Sequence, residues 1–143
     1  MLQDTINRLA YLVTTIPSRL RQLDESDFAY KLSPEKWSKQ EVLGHLIDSA
    51  SHNHYRIVHA QFEQSFTLTY AQNEWVKYNH YQSLPATQVI DFWTVYNRQL
   101  LLLLQQIPDE CLNNQVNGQT LSFIIIDYVA HMEHHLLQMG IEF

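Results

Sequence analysis

The sequence predicts an all-α protein, a four-helix bundle with one long crossover between its second and third helices. Three observations predict this. Apolar residues recur at spacings of three and four in three stretches, and a fourth stretch is nearly apolar all round. Start signals stand at the heads of the second, third and fourth stretches. The long segment without a clean period, residues 62–84, falls between the second and third.

In the first stretch, Leu2, Ile6, Leu9, Val13, Ile16, Leu20 and Leu23 form the seam of a helix packed in a bundle. Pro17 interrupts it by removing the bond to the carbonyl four residues back, so a helix kinked near Val13, or two short ones sharing a face, is expected. Residues 24–34 read as a connection. The second helix starts at Ser38, where Ser38-Lys-Gln-Glu41 is a capping box and Trp37 and Val42 hold the positions of a hydrophobic staple. Val42, Leu43, Leu46, Ile47, Ala50, Ile57 and Val58 supply its apolar side.

Residues 62–84 hold Tyr70, Trp75, Tyr78 and Tyr81, so the crossover is expected to pack down, to conceal short helices or to wall a pocket. Pro85 opens the third helix, whose stripe runs from Val89 through Phe92, Trp93, Tyr96, Leu100, Leu103 and Leu104 to Ile107 before Pro108. Residues 113–118 read as a polar turn. Thr120 or a near neighbour caps the fourth helix, Leu121 to about Met139, whose run Phe123-Ile-Ile-Ile126 suits a buried helix.

With 143 residues, 45% of them apolar and 17% charged, the chain is expected to fold as a single domain, residues 1–143, outside the disordered regime. Its net charge of −6 and nine scattered Lys and Arg argue against nucleic acid as a partner. Cys111 is the only cysteine, which excludes an intramolecular disulfide and a cysteine-based zinc site and fits a reducing compartment. No apolar run reaches the roughly 18 residues of a spanning helix and no signal peptide is visible, so a cytoplasmic protein without a membrane partner is expected. Three glycines leave no dinucleotide fingerprint or phosphate loop.

Chemistry therefore rests on the histidines. His131 and His135 lie four apart on the last helix and share a face, which is chelating spacing. A catalytic metal usually takes three protein ligands, and His45, one turn inside the capped helix among core residues, is the best third candidate. His52 falls within about 20° of His45 around the helix, while His54 lies roughly opposite. His52, His54, His59 and His80 are expected at the surface or in hydrogen bonds, and His134 points outward or supports a ligand. Glu133, Asp48 and Asp127 are expected on polar faces.

Two known templates fail. None of the eight histidines has Glu three residues before it, as a di-iron bundle requires, and Met132 rather than Glu follows His131, unlike the zinc-protease helix.

Lys36-Trp-Ser-Lys-Gln-Glu-Val-Leu-Gly-His45-Leu-Ile-Asp-Ser49, then Asn53-His-Tyr-Arg56, then Asp127-Tyr-Val-Ala-His131-Met-Glu-His-His135-Leu, resembles the DinB/YfiT-like superfamily. The resemblance covers essentially the whole chain, including Trp75 and the helix start at Pro85. It implies an up-down-down-up bundle, often a homodimer, with a divalent metal such as zinc, nickel or iron on His45, His131 and His135. It also implies a small-molecule substrate. The leading expectation is a metal-dependent transferase of a low-molecular-weight thiol, of the bacillithiol S-transferase type. The second is a hydrolase whose nucleophile is a metal-bound water, and the third a non-enzymatic stress or binding protein with a structural metal.

Overall fold

The computed structural model describes residues Met1–Phe143. Four long helices form the bundle: α1 Leu2–Arg21, α3 Lys39–His59, α5 Ala86–Leu104 and α6 Leu121–Gln138. Two short helices, α2 Glu25–Ala29 and α4 Gln72–Tyr78, lie in the connections, with single 3-10 turns at Tyr81–Ser83 and Asp109–Cys111. The bundle runs up-down-down-up, as expected. Helices α1 and α3 stand on one diagonal, each packed against both α5 and α6, so α3 and α6 meet face to face. No helix is long and apolar enough to cross a membrane.

The stripes read from the sequence become one core. Leu9, Leu12 and Ile16 of α1, Leu43 and Leu46 of α3, Trp93 and Leu100 of α5, and Leu121 and Leu136 of α6 are essentially excluded from solvent. α1 passes through Pro17 as one helix rather than two. Proline forfeits one bond, to the Val13 carbonyl, but buried Val13, Ile16 and Leu20 anchor both sides of it.

The predicted capping box is present: Ser38 Oγ accepts from the Glu41 amide at 3.1 Å and Glu41 Oε1 accepts from the Ser38 amide at 3.1 Å. Thr120 Oγ1 caps α6 by accepting from the Phe123 amide at 3.2 Å.

Two elements depart from the sequence reading. The connection after α1 contains α2, started by the Asp24 side chain accepting from the Ser26 amide. The polar turn at 113–118 belongs to a hairpin, β2 Gln115–Val116 with β3 Gln119–Thr120, and β1 Ser65–Phe66 of the crossover pairs parallel to β2. Asn117 and Gly118 turn that hairpin with φ of 52° and 78°, the left-handed pair that a two-residue primed turn needs. Asn117 also pins the crossover: its Nδ2 donates to the Leu68 carbonyl at 2.8 Å and its Oδ1 accepts from the Leu68 amide at 2.9 Å.

Thus tied, the crossover lies on α3. The Tyr81 ring presses on the backbone at Gly44, where a Cβ would sit 2.7 Å from Cε2 and closer still to Cγ and Cδ2. Glycine is required there for close approach, not for its dihedrals.

Candidate metal centre

The site is built where α3 faces α6. His45 follows Gly44 in the capped first turns of α3 and is 2% exposed. His131 and His135 lie one turn apart near the end of α6 and are half-buried. Their imidazoles converge. His131 Nε2 stands 3.2 Å from His45 Nε2 and 3.1 Å from His135 Nε2, and one donor atom from each residue lies within 4.8 Å of the others.

Hydrogen bonds alone account poorly for this arrangement. An imidazole nitrogen carries either one proton or one lone pair, so His131 Nε2 cannot serve both neighbours well. One ion can. Metal–nitrogen bonds of about 2.0–2.1 Å in tetrahedral geometry set donors about 3.4 Å apart, close to the separations observed.

The electrostatics favour the ligating form. Burial pushes the His45 imidazolium down to about 3, helped by the neighbouring His131 and His135. Burial and then His135 push His131 down to about 4, against the opposing pull of Asp127. Both rings are therefore neutral at physiological pH and offer lone pairs.

Tautomers are set from behind. His135 Nδ1 donates to Gln138 Oε1 at 2.8 Å, which leaves its Nε2 lone pair for the centre. His45 Nδ1 faces the Tyr70 hydroxyl at 3.5 Å, and the Trp37 ring lies 5.0 Å from the His45 ring.

Around the cluster the structure corrects one expectation. Asp48 is not a polar-face residue: it is 1% exposed, its Oδ1 accepts from the Tyr81 hydroxyl at 2.6 Å and Asn79 Nδ2 at 3.0 Å, and its Oδ2 has no partner. Burial pushes this carboxyl up to about 6, against the Tyr81 hydrogen bond.

Of the two settings expected for His52, a surface or a hydrogen bond, the structure has the second, in the interior. Its Nδ1 donates to the Asp48 carbonyl at 2.9 Å, and its ring lies between Tyr70, 3.8 Å between centroids, and Trp75, 4.4 Å. His54 meets the Tyr96 hydroxyl at 3.0 Å and His59 pairs with Glu63. His134 is exposed, with its ring 5.2 Å from that of His135. Glu133 turns away from the cluster to pair with Arg8 of α1, as its helical angle requires. Asp127 is exposed, one turn before His131 on the same side of α6.

Tyr70 and Gln138 border the site; the sequence named Tyr70 only as one of four crossover aromatics and did not single out Gln138. Gln138 could have been found from its spacing of three from His135. Tyr70 could not, because a crossover of irregular period does not announce which aromatic folds inward.

A four-helix bundle that gathers three imidazoles on one partly open interhelical face defines a class of all-α protein with a candidate metal centre. Within it, the chain belongs to the DinB superfamily, whose family model matches residues 8–139. Its fold is similar to that of YfiT from Bacillus subtilis, described as a probable metal-dependent hydrolase with an unusual four-helix bundle topology. That likeness has a TM-score of 0.78 at 18% identity, over 99% of this chain and 89% of that one, and it shows the shared fold. No curated protein matches the sequence.

Proposed function

We propose that the protein is a divalent-metal-dependent hydrolase in which His45, His131 and His135 hold the ion. The observation that supports this most directly is the convergence of the three imidazoles, with His131 Nε2 3.1–3.2 Å from the Nε2 atoms of the other two and all donors within 4.8 Å, while two of the rings are half-buried. A site with three protein ligands and an open side is catalytic in pattern, whereas structural sites are closed. An ion held by His45, His131 and His135 would supply Lewis acidity, making a water or a thiol acidic near neutral pH.

The chain's own residues supply the rest. His135 is oriented by Gln138, and the aromatic wall of Tyr70 and Trp37 limits water on the His45 side. Asp127, exposed one turn before His131 on the same side of α6 and felt electrostatically by His131, is our candidate for the carboxylate that would accept a proton from a nucleophilic water. The description of YfiT as a probable metal-dependent hydrolase agrees with this reading.

Transfer of a low-molecular-weight thiol is the second reading, supported by a cavity of about 510 Å³ lined by Glu35, Lys36, Trp37, Val42, Gln72, Asn73 and Gln138. It shares Trp37 and Gln138 with the surroundings of the cluster, and its two charges and three amides suit a polar thiol carrier.

The test is elemental analysis of untagged protein after dialysis against zinc, nickel and iron, wild type beside His45→Ala and His131→Ala. Near-stoichiometric metal in the wild type and its loss in both variants, with helical circular dichroism retained, is expected. Metal content unchanged by either substitution would overturn the site. Turnover of activated esters or amides against turnover of a thiol with an electrophile then separates the two readings.

A further inference from the structure

We propose that the cavity beside the histidine cluster seats an α-amino-acid head group of the substrate, its carboxylate held by Lys36 and its ammonium by Glu35. The inference rests on the reading of the cluster as an enzyme centre and extends it to the class of substrate.

The cavity measures about 510 Å³, within the range that takes a small molecule. Segments far apart in the chain meet there: the approach to α3 gives Glu35, Lys36 and Trp37, α4 gives Gln72 and Asn73, and the end of α6 gives Gln138. Two of these walls also touch the cluster. The Trp37 ring lies 5.0 Å from the His45 ring, and Gln138 Oε1 accepts from His135 Nδ1 at 2.8 Å. A group seated in the cavity is therefore one side chain away from two of the three candidate ligands.

The polar groups of this cavity are uncommitted. Glu35, Lys36, Gln72 and Asn73 are exposed with no side-chain partner in the protein, and Gln138 uses only its Oε1, which leaves Nε2 on offer. A second cavity, of about 520 Å³ between α2 and the start of α5, shows the contrast. Its amides are engaged in the fold: Gln40 Nε2 donates to the Tyr81 and Leu84 carbonyls at 2.6 and 2.7 Å, and Gln82 Nε2 donates to the Ala29 carbonyl at 2.7 Å.

Charge decides the class of ligand. Lys31 and Lys39 pair with Glu41 and Asp27, and Lys77 lies over the Tyr78 ring. Lys36 has no such partner, although Glu35 precedes it and lines the same cavity. One cation and one anion kept apart in a single cavity complement a ligand that carries one of each, whereas a ligand of single charge meets repulsion from one of them. An α-amino-acid head group bears both charges on one carbon and bridges the two side chains. Trp37 is the apolar surface between these charges and His45, suited to a chain running from that carbon to the cluster. The Gln72 and Asn73 amides serve the remaining hydrogen-bonding groups.

The test follows the Trp37 indole N–H and the Gln138 side-chain amide resonances in ¹⁵N-labelled protein stripped of metal, so that an amino acid cannot report by chelating an ion. The probes are L-norleucine, N-acetyl-L-norleucine, which keeps only the carboxylate, and L-norleucinamide, which keeps only the ammonium. Saturable shifts are expected with L-norleucine, at concentrations about two- to fivefold below those needed with either blocked probe, the worth of one solvent-accessible charge pair. Lys36→Gln should weaken L-norleucine and the acetyl probe by that factor and spare the amide; Glu35→Gln should weaken L-norleucine and the amide and spare the acetyl probe.

No saturable shift with L-norleucine overturns the proposal, as does an equal response to all three probes or a loss in the two variants that ignores the charge of the probe. Both side chains are exposed and unpaired, so both variants are expected to fold. If the protein unfolds without metal, the zinc-loaded form replaces it and the charge variants decide. Metal content is read separately. Metal uptake without a head-group response refutes this proposal only; a head-group response in protein that takes up no metal leaves the cavity assignment standing and refutes the enzyme reading.

Discussion

Gly44→Ala is expected to destabilise the protein although alanine is the better helix former. In an exposed helix the substitution would stabilise by about 1 kcal/mol. Here the new methyl would lie 2.7 Å from Tyr81 Cε2 and closer to two other ring carbons, well inside the 3.5–4.0 Å of ordinary carbon contact. Overpacking of this kind costs about 1–3 kcal/mol. If the ring moves, the Tyr81 hydroxyl leaves Asp48, a buried carboxylate that already has one unpartnered oxygen, for about 1–3 kcal/mol more.

Offsetting the propensity gain, the net loss is about 3 kcal/mol, or roughly 10 °C in Tm for a chain of this size. Urea unfolding of metal-free protein measures it. The same substitution in a Tyr81→Ala background should reverse sign and stabilise by roughly 1 kcal/mol, because the obstacle is gone and the propensity gain remains. An equal loss in both backgrounds would refute the assignment of the cost to the Tyr81 ring.

Ser38→Ala removes the cap on the Glu41 amide and the contact with Gln82, and should cost about 1–2 kcal/mol in urea unfolding; a change within error would mean that packing alone starts α3. Metal-free protein should lose stability as pH falls from 6.5 toward 4, because His45 and His131, held down to about 3 and 4, take up protons more readily when unfolded. Asp48 works the other way: its folded pKa of about 6 lies above the unfolded 3.8, so it favours folding as pH falls through that window. Asp48→Asn should therefore make the acid loss steeper, and a shallower one in unfolding curves at pH 7, 6 and 5 would contradict the burial of that carboxylate.

Much of the bundle was legible in the sequence because its causes are local. The capping box at Ser38, the cap at Thr120, and the three- and four-residue spacing of apolar side chains act within one or two turns, so they can be read without knowing what packs where. The i,i+4 spacing of His131 and His135 is local in the same sense. The Asn117-Gly118 hairpin was equally local, yet short strands beside a helix start are easily absorbed into a polar turn.

What the tertiary structure decided depends on contacts between distant segments. Nothing near His45 in sequence places its Nε2 3.2 Å from that of His131; the packing of α3 on α6 does. Asp48 read as a polar-face residue, and His52 as a surface or hydrogen-bonding one, until the crossover, pinned by Asn117, lays Tyr70 and Tyr81 over them and removes their water. Helix periodicity states which residues share a side, but burial and partners belong to the surface that covers that side, and the covering segment lies many residues away.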